Sequence, residues 1–158
     1  MNSRVRAASF VTVQEAIDSA LVEPGDRILV GPGSSYRAVV SKPVHIQGVG
    51  RATIASGPLH PTALLSQGFR LLEDSDGTTI SHLRFTVPFP VINASFEVVD
   101  DATIAHNVLM NPVQGITNWL GSRWTITQND VVDLRTRCGG GIAILVGDYN
   151  GGVVSDNV

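Results

Sequence analysis

Two histidines stand at matching places in a repeating pattern: His82 lies two residues after Ile80, and His106 two residues after Ile104. Imidazole is a ligand for zinc or copper, so His82 and His106 are candidate metal ligands if the fold brings them side by side, although such sites ordinarily take three or four ligands. A hydrogen-bonding pair at a turn edge is the plainer account. Acids gather ahead of the same anchors: Asp74 and Asp76 before Ile80, Asp100 and Asp101 before Ile104, Asp148 with Asn150 before Val154. Stacked carboxylates from Asp76, Asp100 and Asp101 would suit Ca2+, a hard cation that takes oxygen ligands. Ser122 and Arg123 interrupt that column, and Asp and Gly also simply initiate turns. The densest charged cluster is Asp130, Asp133, Arg135 and Arg137. A guanidinium among carboxylates can grip an acidic group or assist proton removal, which makes these four the candidate catalytic residues. Surface ion pairing explains them equally well.

A third set is uncharged. Thr79, Thr103 and Thr125 precede the anchors, and Ser81, Ala105, Thr127 and Ser155 follow them. Residues that flank a buried strand position point outward. Thr79, Ser81, Thr103, Thr125 and Thr127 are therefore the candidate binding residues, on a flat face of small hydroxyl side chains. Thr and Ser also suit any exposed strand.

All of these positions depend on one repeat. The segments Thr79 to Leu83, Thr103 to Asn107, Thr125 to Asn129 and Val153 to Asn157 align without gaps, with Ile80, Ile104, Ile126 and Val154 as apolar anchors spaced 24, 22 and 28 residues apart. Ile54, 26 residues before Ile80, fits as an earlier anchor. That period is too short for a strand–helix–strand unit and matches one coil of a β-solenoid, each coil stacking its anchor about 4.8 Å from the last. Asn107, Asn129 and Asn157 each follow their anchor by three residues. Asn accepts left-handed backbone and can hydrogen-bond along a stack, so a column of Asn at a bend is expected.

One helix is expected, over residues 12–22. Thr12 and Glu15 are spaced as a capping box, and Val13, Ala16, Ile17, Ala20 and Leu21 share a face. Phe10 precedes the cap, and Pro24-Gly25-Asp26 ends the helix. It would cover the first coil, where a solenoid otherwise exposes strand edges and core. Strands are expected at Arg27–Val30, Tyr36–Val40 and Val44–Gly48. The fold class is thus all-β, a right-handed parallel β-helix with an N-terminal capping α-helix, in a single domain over residues 1–158 with coils from about 27 onward. The last repeat stops at Val158 with no matching cap, so the domain reads as incomplete there, and oligomerisation through the uncapped end is an expectation.

Phe10 to Ala20, Pro24 to Val30, Gly31-Pro32-Gly33-Ser34-Ser35-Tyr36 and Lys42 to Gly48 resemble the opening of the pectin-lyase-like superfamily. With the later Ile-x-x-Asn coils the likeness covers most of the chain, and it is nearest to the NosD-like and generic β-helix-repeat members. The resemblance implies a polysaccharide partner bound on a lateral face, with lyase or epimerase chemistry on a uronic-acid polymer if the protein is an enzyme. In lyases of this fold Ca2+ neutralises the uronate and an Arg or Lys removes the proton. It also implies an extracellular or periplasmic location. The superfamily includes phage tailspikes and non-enzymatic proteins, so a structural, adhesin or spike-type solenoid is the alternative. A threonine-faced ice-binding role is a third. The Gln-Asp-Thr and Asp-Phe-Ile-Phe-Gly segments of pectin methylesterases and the Asp-Pro-His-Glu of alginate epimerases are absent from the sequence.

Composition narrows the rest. The chain has 158 residues, 43% of them hydrophobic, with a formal net charge of −3. That balance points to neither a nucleic-acid nor a membrane partner. No apolar run resembles a signal peptide or a membrane span. Cys138 is the sole cysteine, so no intrachain disulfide forms. Trp119 and Trp124 are either sugar-stacking platforms or core filler, and Asn93-Ala94-Ser95 has the form of a glycosylation sequon.

Overall fold

The computed structural model describes residues 8–57, 67–87, 90–137, 140–147 and 151–158. The chain winds through three strands per turn. The first coil holds β1 (Arg27–Val30), β2 (Gly33–Tyr36) and β3 (Ala38–Val40), and the second β4 (His45–Gly48), β5 (Ala52–Ala55) and β6 (Phe69–Leu71). The third holds β7 (Thr79–Ser81), β8 (Arg84–Phe85) and β9 (Ile92–Ala94). The fourth holds β10 (Thr103–Ala105), β11 (Val108–Met110) and β12 (Gln114–Asn118). The fifth holds β13 (Trp124–Thr127), β14 (Asp130–Val132) and β15 (Ile142–Val146), and β16 (Gly152–Ser155) opens a sixth. Strands stack in parallel into three sheets: sheet A in the order β1-β4-β7-β10-β13-β16, sheet B from β2 to β14, and sheet C from β3 to β15. The protein is a parallel β-solenoid with almost no helix.

Each sheet turns an apolar column inward. In sheet A, Ile28, Ile46, Ile80, Ile104, Ile126 and Val154 are direct partners along the stack. Ile54 is not among them: it lies in sheet B, paired with Ser35 on one side and Phe85 on the other. The anchor beneath Ile80 is Ile46, because the second coil carries a long link between β5 and β6 that breaks the period. Sheet B contributes Ile54, Phe85, Leu109 and Val131 to the interior, and sheet C contributes Phe69, Ile92, Ile116 and Ile144. Phe69 and Phe85 meet edge to face, centroids 5.3 Å apart. Burying one such side chain contributes roughly 1.5–3 kcal/mol, so the repeated columns carry most of the stability.

The turn from sheet A to sheet B is built on asparagine. Asn107 Nδ2 donates to Asn129 Oδ1 at 3.0 Å, and Asn129 Nδ2 donates to Asn157 Oδ1 at 2.9 Å. Each Oδ1 also accepts a backbone N–H from the coil below: Leu83, Asn107 and Asn129 respectively. The asparagines are not the left-handed residues, contrary to expectation. The residue before each one is, as is the residue before Leu83 at the same place in the third coil: His82, His106, Gln128 and Asp156 all have φ between 54° and 58°. An amide turned inward to form the ladder leaves the tight bend to its neighbour. Gln128 is exposed and gains nothing evident from its side chain, and a left-handed non-Gly residue costs roughly 1–2 kcal/mol. Gln128→Gly is therefore expected to raise stability by about 1 kcal/mol, checked by urea denaturation. Unchanged or lower stability would contradict the strain argument.

The helix, α1, spans Val13–Asp18, shorter than the expected 12–22. The capping box forms: Glu15 N–H donates to Thr12 Oγ1 at 3.1 Å, and Glu15 Oε2 accepts from the Thr12 N–H at 3.3 Å. Val13, Ala16 and Ile17 are buried. The helix stops because Ser19 turns extended, its hydroxyl accepts the Leu21 N–H, and Lys42 Nζ binds the carbonyls of Ser19 and Val22. Ala20 and Leu21 are consequently exposed. Gln14 docks the cap on the first coil, accepting the Val39 N–H at 2.7 Å and donating to the Val39 carbonyl at 3.3 Å. That side chain satisfies a strand edge that the solenoid would leave open.

Candidate functional site

Sheet A presents the hydroxyl face in register. Thr79, Thr103 and Thr125 are successive partners, and Ser81, Ala105, Thr127 and Ser155 form the second column. Thr127 Oγ1 and Ser155 Oγ are 3.1 Å apart. The threonines and Ser81 are half-buried on the outer side of the sheet, flanking the buried anchors.

One edge of this face carries the His column. The rings of His82 and His106 stack with centroids 4.8 Å apart and planes inclined by 25°. Shared left-handed backbone aims both side chains the same way, with Gln128 and Asp156 at the next two levels. Among the described residues, no group of three or more His, Cys, Asp or Glu gathers as a metal site. The structure brings the two histidines together and supplies no third ligand of that kind.

The other edge carries the acids. Asp76 Oδ1 accepts the Asp100 N–H at 2.7 Å, and Asp100 Oδ1 accepts the Ser122 N–H at 2.8 Å. Arg123 donates twice to Asp101, both at 2.8 Å, and once to Asp100 Oδ2 at 3.0 Å. Arg123 thus occupies the level where the column would need another carboxylate for Ca2+, and the carboxylate oxygens face donors instead. Asp74 lies in a 3-10 turn, Glu73–Ser75. Asp148, Asn150 and Cys138 fall outside the described residues. The Arg123 hydrogen bond, reinforced by its charge, holds the Asp101 carboxyl below the ordinary carboxylate range. A depressed folded-state value makes this contribution complete above that range and lost as pH falls below it. Both partners are exposed, so the pair serves shape more than stability.

Among the described residues the catalytic candidates make no ion pair with one another. Asp130 sits on β14 in the outward column of Val108 and Arg84, and Asp133 forms the left-handed turn beyond it. Arg135 is drawn to the fourth coil instead: its N–H bonds the Pro112 carbonyl at 2.8 Å and its guanidinium bonds Asn111 Oδ1 at 3.1 Å. Arg137 is exposed.

Three further features were not legible beforehand or are now decided. Arg70, on the outer side of β6, is 8% exposed and pairs with Glu97 at 3.1 Å; a lone Arg inside a short apolar strand gave no sign of this. Asn93 is buried with its Oδ1 accepting from Thr117 Oγ1 at 2.7 Å, which removes it from reach as a glycosylation acceptor. Trp124 is fully buried and donates to the Val99 carbonyl at 2.7 Å, whereas Trp119 is 47% exposed. No helix among the described residues is long and apolar enough to cross a membrane. No family model matches the chain, and no curated protein and no solved structure matches it either.

Proposed function

We propose that this protein is a polysaccharide-binding solenoid that seats its ligand on the outer face of sheet A, and that it winds right-handed as a member of the pectin-lyase-like superfamily. The observation that carries the reading is the in-register set of hydroxyls of Thr79, Thr103 and Thr125, flanked by Ser81 and Thr127, half-buried on the outer side of a parallel sheet. A sugar chain needs a long, flat surface with regularly spaced donors and acceptors, and a hydroxyl can serve as either. The hand is supported by the rule that parallel strands joined by crossovers are right-handed in about 98% of cases.

Affinity electrophoresis through a panel of neutral and uronic polysaccharides tests it. The triple variant Thr79→Val, Thr103→Val, Thr125→Val keeps shape and strand preference while removing three hydroxyls. Its retardation is expected to weaken at least tenfold, about 1.4 kcal/mol. Wild-type protein that is folded and runs unretarded on every polymer would defeat the reading. Lyase chemistry at Asp130, Asp133, Arg135 and Arg137 has its own check: ultraviolet absorbance of unsaturated product from polyuronates, with and without Ca2+, lost in Arg135→Ala/Arg137→Ala.

A structural stacking module is the second reading. It is favoured by the regular stack of sheet A, in which Ile80, Ile104, Ile126 and Val154 are direct partners from coil to coil. Self-association seen by sedimentation would support it.

A further inference from the structure

Large apolar side chains cluster outside the hydroxyl face, at the corner where sheet C hands over to sheet A. Phe96 is 59% exposed, Val98 49%, Trp119 47% and Leu120 39%. They sit on adjacent coils, since β9 and β12 are paired neighbours. Two local devices force them out. Asn118, itself buried, accepts the Gly121 N–H at 2.9 Å and donates to the Gly121 carbonyl at 3.0 Å, closing a turn whose tip is Trp119 and Leu120. On the coil below, the link between the positions aligned with Asn118 and Thr125 is two residues longer, and Phe96 and Val98 ride on it. Turn tips ordinarily take small polar residues, and contiguous exposed apolar surface marks an interaction site.

The indole is also braced. A Cβ on Gly147 would lie 2.8 Å from Trp119 Cδ2, so the glycine lets the backbone of the next coil lie against the ring. A fixed, half-exposed indole is a stacking platform for the apolar face of a pyranose. The same links run on into Asp100, Asp101 and Arg123. Arg123 is engaged by both aspartates and Arg70 is buried beside Glu97, so the corner carries three carboxylates against two cations that are already engaged. An acidic polymer meets net negative charge there. The exposed Asp101 carboxylate keeps lone pairs for sugar hydroxyls.

We propose that this corner is a neutral-sugar subsite, with Trp119 as the stacking platform, Phe96 on the corresponding link of the coil below, and Asp101 accepting hydroxyl hydrogen bonds. The proposal rests on the carbohydrate reading above and names the sugar class and the residues of a second contact. Isothermal titration calorimetry tests it in the whole chain, titrated with cellohexaose, xylohexaose, mannohexaose and hexagalacturonate. Saturable heat with at least one neutral hexamer is expected. Trp119→Ala should weaken that binding at least tenfold, and Trp119→Phe should restore most of it. Trp124, buried and unchanged, reports folding in every variant. Binding that survives Trp119→Ala but fails in the triple valine variant would overturn the corner and spare the hydroxyl face. Preference for hexagalacturonate would also overturn it. No binding of any sugar by folded protein would remove both readings together.

Discussion

Asn129→Ala is expected to lower stability by about 4 kcal/mol, because one side chain satisfies three successive coils. Its Oδ1 accepts from the backbone and the side chain of Asn107, and its Nδ2 donates to the Ile104 and Thr127 carbonyls and to Asn157 Oδ1. Alanine leaves the buried Asn107 N–H without its acceptor and strips a hydrogen bond from the Asn107 amide, from the Ile104 and Thr127 carbonyls and from Asn157 Oδ1; an orphaned buried polar group costs about 1–3 kcal/mol and each other lost bond about 0.5–1.5 kcal/mol. Asn129→Asp is the sharper control. It keeps the acceptor and the shape, but turns a carboxylate towards two carbonyls. It should be at least as damaging at neutral pH and recover partly in acid, as the carboxyl becomes protonated. Urea denaturation followed by Trp124 emission measures both. A loss under about 1 kcal/mol for Asn129→Ala would mean that the ladder accompanies the turn without stabilising it.

Gly121→Ala is expected to cost about 3 kcal/mol through a clash that no side-chain rotation relieves. A Cβ there would stand 1.8 Å from the Val99 carbonyl oxygen and 2.8 Å from its carbon, both backbone atoms of the coil below. Those coils must separate, and the Val99 carbonyl is also what Trp124 Nε1 binds. A red shift of Trp124 emission should therefore accompany the lower midpoint. Wild-type stability in this variant would show that the two coils have room to part. The same contact recurs at Gly48, whose Cβ would lie 2.0 Å from the His82 carbonyl oxygen.

What was legible in the sequence followed from rigidity. Ile80, Ile104 and Ile126 share a turn of constant length with Asn107 and Asn129, so period, anchors, threonine columns and ladder could all be read by alignment. The capping box of Thr12 and Glu15 is local and equally readable. Errors arose where distant residues decide. Ile54 falls in sheet B and not in the anchor column, because the link after β5 lengthens the second coil. The helix ends at Asp18 and not at residue 22, because Lys42, far along the chain, takes the carbonyls of Ser19 and Val22. Left-handed backbone is expected of Asn, which favours it, yet the ladder needs the Asn amide inward and hands the bend to the residue before it, His106, Gln128 or Asp156. At the candidate site, Arg123 read as an interruption of an acidic column and is in fact the partner of Asp100 and Asp101. Arg135, one of the charged cluster, bonds Asn111 and Pro112 on the fourth coil, a contact between coils that its neighbours in sequence do not announce.

The asparagine turn also separates what can drift from what cannot. Ile80 to Phe85, Ile104 to Leu109 and Ile126 to Val131 are equally spaced, so every change in coil length among these turns falls on the links leaving sheets B and C. Closing a longer link costs little, about 0.6 kcal/mol for each doubling. The links from sheet B to sheet C differ most: Leu109 to Ile116 spans 7 positions and Val131 to Ile144 spans 13, whereas the C-to-A links are held close by Gly121 against Val99. The protein keeps a fixed ruler on one side and an editable margin on the other. A family built this way should diverge by insertions at the B-to-C corner long before its ladder changes, and that corner is where a foreign loop could be grafted with the least disturbance.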